Sequence, residues 1–400
     1  MIRRWKQLLN TFRLVFYMIE YGTALFFLPL YRKKAKYKDL WIISERGEDA
    51  RDNGYYFFRY VREEHPEINI RYIISENSKD RANVEKSGPV ITYRSFQHFI
   101  ALAAAQVCIS THIMGYTPDI YLFLMLDKVF PLRGKKIFLQ HGIIKDDIPY
   151  LYRDNIFLDL FVCGAKKEWE YVSANFGHEK NAVQFLGLCR YDGLPDRNVK
   201  KAKKKILLMP TWRGYIADRK LSEQEFLKTD FFRCYQSLIK NDLLISLLEK
   251  YDCILEFYPH HEMQKYLSCF HSESDRIKMI KAAELEIQPA LIEADVLLTD
   301  YSSVFFDFAY MHKPVLYYQF DQEKFRSGHY QEGYFKYERD GFGPVCKEES
   351  VLLKELSEIL LRDCEAAPEY ERRMDEFFER RDHNNCKRNY DRIYEIWKQE

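Results

Sequence analysis

Asp295-Val-Leu-Leu-Thr-Asp-Tyr-Ser-Ser-Val-Phe-Phe-Asp-Phe-Ala-Tyr-Met-His312 carries a strand, a turn and a helix in succession. Val296-Leu297-Leu298 is a short apolar run suited to a buried strand. The chain then turns through Asp300-Tyr301-Ser302-Ser303 and places Phe305, Phe306, Phe308 and Ala309 at helical spacing. Ser302 or Ser303 is a natural N-cap, so the helix should begin there. A strand feeding a helix through a hydroxyl-rich turn exposes backbone N–H groups that suit an anion, most often a phosphate. The same two serines also serve as ordinary helix caps, so the turn alone leaves both readings open. Asp300 either shapes the turn or bonds a ribose, and Asp307 falls on the helix face of Ser303. Lys313-Pro314-Val315-Leu316-Tyr317-Tyr318 reads as the next strand, which completes a βαβ unit of the nucleotide-binding kind.

The same alternation extends in both directions from this unit. On the N-terminal side, strands are expected at Leu40–Ile43, Ile70–Ile74, Val107–Ile109, Lys136–Leu139, Asp159–Cys163 and Ala182–Leu186. Helices are expected at Asn53–Glu64, Phe96–Ala105 and Lys166–Phe176. A second series starts at Ile206–Met209 and continues through a helix at Asp242–Tyr251 and a strand at Ile254–Phe257. Repeated βα units imply parallel sheets covered by helices on both faces. Five lysines between Lys200 and Lys205 suggest a linker. The fold class is therefore α/β, two Rossmann-like domains facing a cleft. The expected divisions are 1–38, a basic membrane-associating segment; 39–197, the first domain; 198–205, the linker; 206–348, the second domain; and 349–400, C-terminal helices packing on the domains.

Composition narrows the function. A net charge of +1 gives no general pull toward nucleic acid. The nine cysteines include no CxxC pair, which points to free thiols and away from a disulfide framework or zinc site. The N-terminus breaks the neutrality. Thr11 to Tyr31 is rich in Phe, Leu, Tyr and Met but contains Arg13 and Glu20. Arg3, Arg4 and Lys6 precede it, and Arg32, Lys33, Lys34, Lys36 and Lys38 follow. A spanning helix needs about 20 mostly apolar residues with few charges. This segment fits better as a helix lying on an anionic, cytoplasmic membrane face, and no signal-peptide cleavage pattern follows it.

Ligands of such sheets bind beyond the C-terminal ends of the strands. Gln140-His141-Gly142 follows one strand, where His141 is either a general base with an unperturbed pKa near ~6.5 or a structural histidine bonded to a neighbouring carbonyl. Lys145 adds positive charge for a phosphate. Pro210-Thr211-Trp212-Arg213 follows another strand and offers a hydroxyl and a fork of donors. Tyr258-Pro259-His260-His261 follows a third, where one imidazole can donate to a phosphoryl oxygen. No third ligand is spaced to make these histidines a metal site. Arg190, in Gly187-Leu188-Cys189-Arg190-Tyr191-Asp192, is expected to face the cleft. The chain lacks a GxGxxG fingerprint, a Walker loop and a GxSxG elbow, so no cofactor is expected.

Taken together, these stretches resemble the CDP-glycerol glycerophosphotransferase family of teichoic acid and capsule synthesis. His141-Gly142 with Lys145 is similar to its HG-x-x-K segment, and Pro210-Thr211-Trp212-Arg213 to its PTWR segment. Pro259-His260 resembles its second histidine motif, and Gly187 with Arg190 and Asp192 its G-x-x-R-x-D. Asp295 to Pro314 with Phe320-Asp321 matches its most specific segment, and the likeness spans roughly Lys136 to Pro344. The resemblance implies a glycosyltransferase-B-like pair of domains, at which an acceptor hydroxyl attacks the β-phosphate of a CDP-alditol and CMP leaves. It makes His141 the base and His260 a donor to the phosphate. Thr211, Arg213, Ser302 and Ser303 would hold the pyrophosphate, with Asp300 and Asp307 shaping the site. CDP-glycerol and CDP-ribitol are both admissible donors, and the acceptor would be lipid-linked or a polysaccharide. Homo-oligomers are compatible with the pattern. Gln140 and Ile143-Ile144 stand where the family's wall enzymes more commonly have tryptophan and threonine-proline, and His261 stands where a proline is usual. With the short chain, these departures suggest a capsule or primase-type enzyme. The nearest rival is a sugar-nucleotide glycosyltransferase of the same architecture; a scaffold without activity is a more distant one.

Overall fold

The computed structural model describes residues 2–196, 203–217, 221–327 and 331–399, with the backbone alone for 2–10. The chain divides into two units. The first comprises Met1–Ile143, Pro149–Gly193 and Asp382–Glu400; the second comprises Ile144–Ile148 and Leu194–Arg381.

In the first unit, β1 (Trp41–Ser44), β2 (Ile70–Ile74), β3 (Val90–Thr92), β4 (Val107–Ser110), β5 (Lys135–Phe138), β6 (Leu160–Cys163) and β7 (Val183–Phe185) form one sheet in the order β3-β2-β1-β4-β5-β6-β7. Every pairing is parallel, with Trp41 opposite both Ile70 and Val107. All residues of β1, β4 and β6 are buried, the signature of strands covered on both faces. The strand order reverses between β1 and β4, so a crevice is expected beyond their C-terminal ends. Glu45, His112 and His141 follow β1, β4 and β5 there.

The second unit repeats the plan with β8 (Lys204–Met209), β9 (Cys253–Phe257), β10 (Ile277–Met279), β11 (Val296–Thr299), β12 (Val315–Tyr318) and β13 (Val345–Cys346). The order is β10-β9-β8-β11-β12-β13, again all parallel. Its reversal lies between β8 and β11, which places Thr211 and Ser302 past adjacent strand ends. The expected linker lies mostly outside the described residues. Its last two lysines are instead the first residues of β8, where Lys204 pairs with Asp363 and Lys205 with Glu256 and Glu293. The short strands β3, β10 and β13 have no long apolar run, which is why periodicity does not reveal them.

Helix Ile2–Tyr31 buries Tyr17, Ala24 and Leu28. Tyr17 packs on Phe99 of helix Phe96–Ala104, and Tyr21 meets Phe123 of helix Ile120–Val129 edge-on. Phe12, Phe16, Ile19 and Phe26 remain exposed, so the outward side of this helix is apolar too. Thr11–Tyr31 is long and apolar enough to cross a membrane, by length and composition only.

Pro368 opens helix Pro368–Phe377 at its first turn, where its missing N–H costs nothing. The chain then returns to the first unit as helix Asn385–Lys398. Cys386, Tyr390, Ile393 and Ile396 on this helix join Trp41 and Phe57 in the core. Burying a large apolar side chain contributes roughly 1.5–3 kcal/mol, so this helix is an integral part of that core.

Candidate active site

In the first unit the site starts at the N-terminus of helix Asn53–Glu64. Asp52 caps it, with Oδ1 accepting from the Asn53 amide at 2.7 Å. Asp52 Oδ2 lies 2.5 Å from His141 Nδ1, and Arg190 Nη1 donates to Oδ1 at 2.8 Å. Burial alone would raise the Asp52 carboxyl, but Arg190 and His141 outweigh it and hold Asp52 well below the usual carboxylate range. An ionised Asp52 accepts, so the neutral imidazole carries its proton on Nδ1 and leaves Nε2 basic. Asp52 in turn lifts the His141 pKa above its ordinary value, against desolvation and Arg190. The His141 side chain is 67% exposed, so the basic nitrogen has access to a reactant.

A second layer fixes this pair. Arg190 Nη1 also donates to the His141 carbonyl at 2.6 Å, and the Arg190 amide donates to Asn53 Oδ1 at 2.9 Å. Asn53 Nδ2 donates to the Gln140 carbonyl at 2.8 Å. Glu45 accepts from the amides of Arg51, Asp52 and Tyr55, while burial, then Asp52, push its carboxyl up. The His112 ring lies 4.7 Å from that of His141, and burial, then His141, lower its pKa to about 3. It therefore stays neutral beside its partner. The left-handed backbone of this turn falls on Gln140, with φ 62°, not on Gly142. Gln140 holds that conformation because its side chain is buried, donating to the Val162 carbonyl and to Glu168.

The second unit gathers the other expected residues. Arg213 is fully buried. Its Nη1 pairs with Asp300 at 2.8 Å and donates to the Thr211 carbonyl, while Nε and Nη2 bind Asp321 at 2.7 and 3.0 Å. Asp300 Oδ1 further accepts from the amides of Thr211 and Tyr301, and Oδ2 from the Tyr235 hydroxyl. Where a direct grip on a phosphate was expected of Arg213, its fork is held by two carboxylates in a fully buried position. Arg190 likewise directs Nη1 to Asp52 and the His141 carbonyl.

What remains available is different. Thr211 Oγ1 is shut from solvent and has no hydrogen-bond partner among the described residues. Ser303 occupies the N-cap position of helix Val304–Tyr310, but its hydroxyl makes no capping bond. Ser302 is half-buried beside it, and Asp307 is buried within that helix. His260 Nδ1 accepts from the Glu262 amide at 3.3 Å, which places the neutral ring's proton on Nε2 as a donor. Burial, then His261, lower His260 to about 4, so it is neutral at physiological pH. His261 is exposed and faces Glu262, which distinguishes the two adjacent imidazoles. Lys145 belongs to the second unit, buried against Asp146 and over the Tyr337 ring, and burial lowers its pKa. Asp146 also binds Arg326 at 2.8 Å.

The first unit thus presents an oriented, basic imidazole, and the second presents a neutral imidazole donor, an unpartnered hydroxyl and two serines. Among the described residues, no group of three or more His, Cys, Asp or Glu side chains is placed to hold a metal ion. Sequence reasoning missed Asp52, Glu45 and Asp321 as parts of these clusters. The available signals were Asp52 standing directly before a helix that follows the first strand and Asp321 within the Phe320-Asp321 segment.

Residues 25–395 match the sequence model of the family described as CDP-Glycerol:Poly(glycerophosphate) glycerophosphotransferase. The minor teichoic acid biosynthesis protein GgaB of Bacillus subtilis is 31% identical over 374 residues, covering 90% of this chain and 40% of that protein. The teichoic acid poly(glycerol phosphate) polymerase of the same organism is 25% identical, covering 83% of this chain and 45% of its own length. The chain spans about half the length of the curated relatives it matches. Among solved structures, the Wall Teichoic Acid Polymerase TagF aligns over 98% of both chains with TM-score 0.67 and 18% identity. A histidine variant of that enzyme soaked with CDPG gives TM-score 0.66 at 17% identity, again over 98% of both chains.

Proposed function

The chain belongs to the CDP-glycerol:poly(glycerophosphate) glycerophosphotransferase family, and from that premise we propose that it transfers glycerol phosphate from CDP-glycerol to an acceptor hydroxyl and releases CMP. The observation that carries this reading is the Asp52–His141 pair, with Nδ1 occupied and the ring exposed. His141 Nε2 takes the proton of the acceptor hydroxyl as its oxygen attacks the β-phosphorus. The new P–O bond forms as the bridging pyrophosphate bond breaks, and CMP departs with the electron pair. His260 Nε2–H donates to a phosphoryl oxygen, where negative charge accumulates. Thr211 Oγ1, Ser302 and Ser303 supply further hydrogen bonds to the pyrophosphate. A buried hydroxyl without a partner costs about 1–3 kcal/mol, which a phosphate oxygen would relieve. Lys145 contributes positive charge, while Asp300, Asp307 and Arg213 hold the turn in shape.

The acceptor is a lipid-linked or polysaccharide hydroxyl of teichoic acid or capsule synthesis, and the enzyme works on the cytoplasmic membrane face. The apolar outer side of helix Ile2–Tyr31, followed by Arg32, Lys33, Lys34, Lys36 and Lys38, supports that placement.

The test is CMP release by the purified protein given CDP-glycerol, CDP-ribitol or UDP-glucose with lipid-linked acceptor. Turnover of a CDP-alditol that falls on the order of 10²–10⁴-fold in His141→Ala supports the assignment. Turnover of CDP-ribitol alone would reassign the donor. Turnover of UDP-glucose alone, or a His141→Ala variant as active as its parent, would sink it.

A further inference from the structure

The first unit carries a second polar depression, at the opposite end of β5 from His141. It encloses about 480 Å³ and is lined by Leu124, Asp127, Lys128, Arg133, Lys136 and Arg153, among others. Asp127 is engaged by Lys136 at 2.5 Å and by the Leu132 amide at 2.7 Å, and Asp159 by the Lys136 amide at 2.8 Å. Lys128, Arg133, Lys135 and Arg153 also line the recess and, among the described residues, form no ion pair, while Asp154 and Asp159 are the acids without a paired cation there. Arg153 is held in place by stacking on Phe157, 4.7 Å from the ring centroid. The depression therefore carries more cationic than anionic side chains around a recess.

Its rim is apolar. Helix Ile120–Val129 and the residue after it expose Tyr121, Met125, Val129 and Phe130 by 81, 60, 68 and 73%. This helix packs against helix Ile2–Tyr31 through Phe123 and Tyr21, with Arg13 reaching Asp119. The exposed side chains of both helices are far more apolar than an ordinary monomer surface.

We infer that this recess is a binding site for the phosphate headgroup of an anionic membrane lipid, with Val129 and Phe130 entering the acyl region beside it. Charge complementarity selects the headgroup, and the adjoining exposed apolar side chains select a bilayer over a soluble anion. The inference rests on the membrane placement proposed above and adds a specific second contact to it.

The experiment is flotation of the full chain with phosphatidylcholine vesicles, with and without phosphatidylglycerol. Arg133→Gln/Arg153→Gln is compared with Lys33→Gln/Lys38→Gln, which removes equal charge outside the recess. A diffuse field costs both pairs alike, several-fold per residue. A built site makes the recess pair lose about tenfold more of the phosphatidylglycerol-dependent binding while retaining binding to phosphatidylcholine. Val129→Ser/Phe130→Ser should weaken binding to both vesicle types. Equal losses from the two charge pairs would overturn the site while leaving the membrane placement intact. Failure of the parent to bind any vesicle would overturn both. Binding of inorganic phosphate that is lost in Arg133→Gln/Arg153→Gln, while the phosphatidylglycerol-dependent flotation of that variant equals its parent's, would identify a free-phosphate site and overturn the lipid assignment.

Discussion

At the residue scale, His141 depends on Asp52 for both its tautomer and its basicity. The carboxylate fixes the proton on Nδ1 and raises the imidazole pKa. A general base works deprotonated, so activity should rise with pH through that raised value. In Asp52→Asn the imidazole loses the charge that raises it, and the acid limb of the kcat/KM profile should move to lower pH. The rate at the plateau should fall as well, because the amide fixes the tautomer less well. An acid limb unmoved by the substitution would remove Asp52 from the mechanism. The same pair has a stability consequence of defined sign. Since the folded pKa lies above the unfolded one, its contribution is complete below about 6.5 and fades as pH rises through the folded value.

At the element scale, Arg213 ties together the loops that follow β8, β11 and β12. Its guanidinium binds Asp300 after β11 and Asp321 after β12, and Thr211 is held to Asp300 through its amide. Removing one partner of a buried pair leaves uncompensated charge and costs about 3–5 kcal/mol. Arg213→Met should therefore lower the unfolding free energy by that order, read as a fall in the urea midpoint. Arg213→Lys should recover little of it, since an ammonium cannot reproduce the two-pronged geometry. Full stability in Arg213→Lys would show that the fork is not what binds the strand ends.

Helix Asn385–Lys398 offers a second test. Asp192 caps it by accepting from the amides of Asn385 and Cys386 at 2.9 and 2.7 Å. Gly187 has φ +86°, and a Cβ there would collide with Asn385 Oδ1. Gly187→Ala should loosen the helix and speed limited proteolysis within it, at a cost of about 1–3 kcal/mol from overpacking. Unchanged cleavage would mean the helix is held elsewhere.

At the scale of the whole molecule, burial lowers the pKa of four histidines among the described residues, His178 and the three that follow. Burial lowers His98 to about 4, burial with His141 lowers His112 to about 3, and burial with His261 lowers His260 to about 4. Each binds a proton on unfolding between its folded value and about 6.5, so the unfolded state gains more protons there. Their contribution is complete above about 6.5 and is lost as pH falls through the folded values. The denaturation midpoint should therefore decline on acidification from neutrality, and the decline should shrink in His98→Gln, whose ring lies outside the active site. His98 Nδ1 accepts from the Arg94 amide and its other nitrogen meets the Tyr116 carbonyl, contacts a glutamine partly replaces. A midpoint flat across that range would contradict the assignment of neutral rings.

The sequence by itself determined the α/β class, the strands with long apolar runs and the strand-end positions of His141, Thr211, His260, Ser302 and Ser303. These follow from local periodicity, and from the rule that parallel sheets bind ligands at strand C-termini. Tertiary structure alone decided which polar groups stay open. Arg213 reads in sequence like a phosphate clamp, yet Asp300 and Asp321 arrive from distant strands and enclose it. Asp52 reads as an unremarked residue before a helix, yet the placement of β1 and β5 on either side of β4 in one sheet carries it to His141. Hydrogen-bond partners separated by about ninety residues are set by sheet order, and sheet order has no local signature in a chain whose central strands share one apolar pattern.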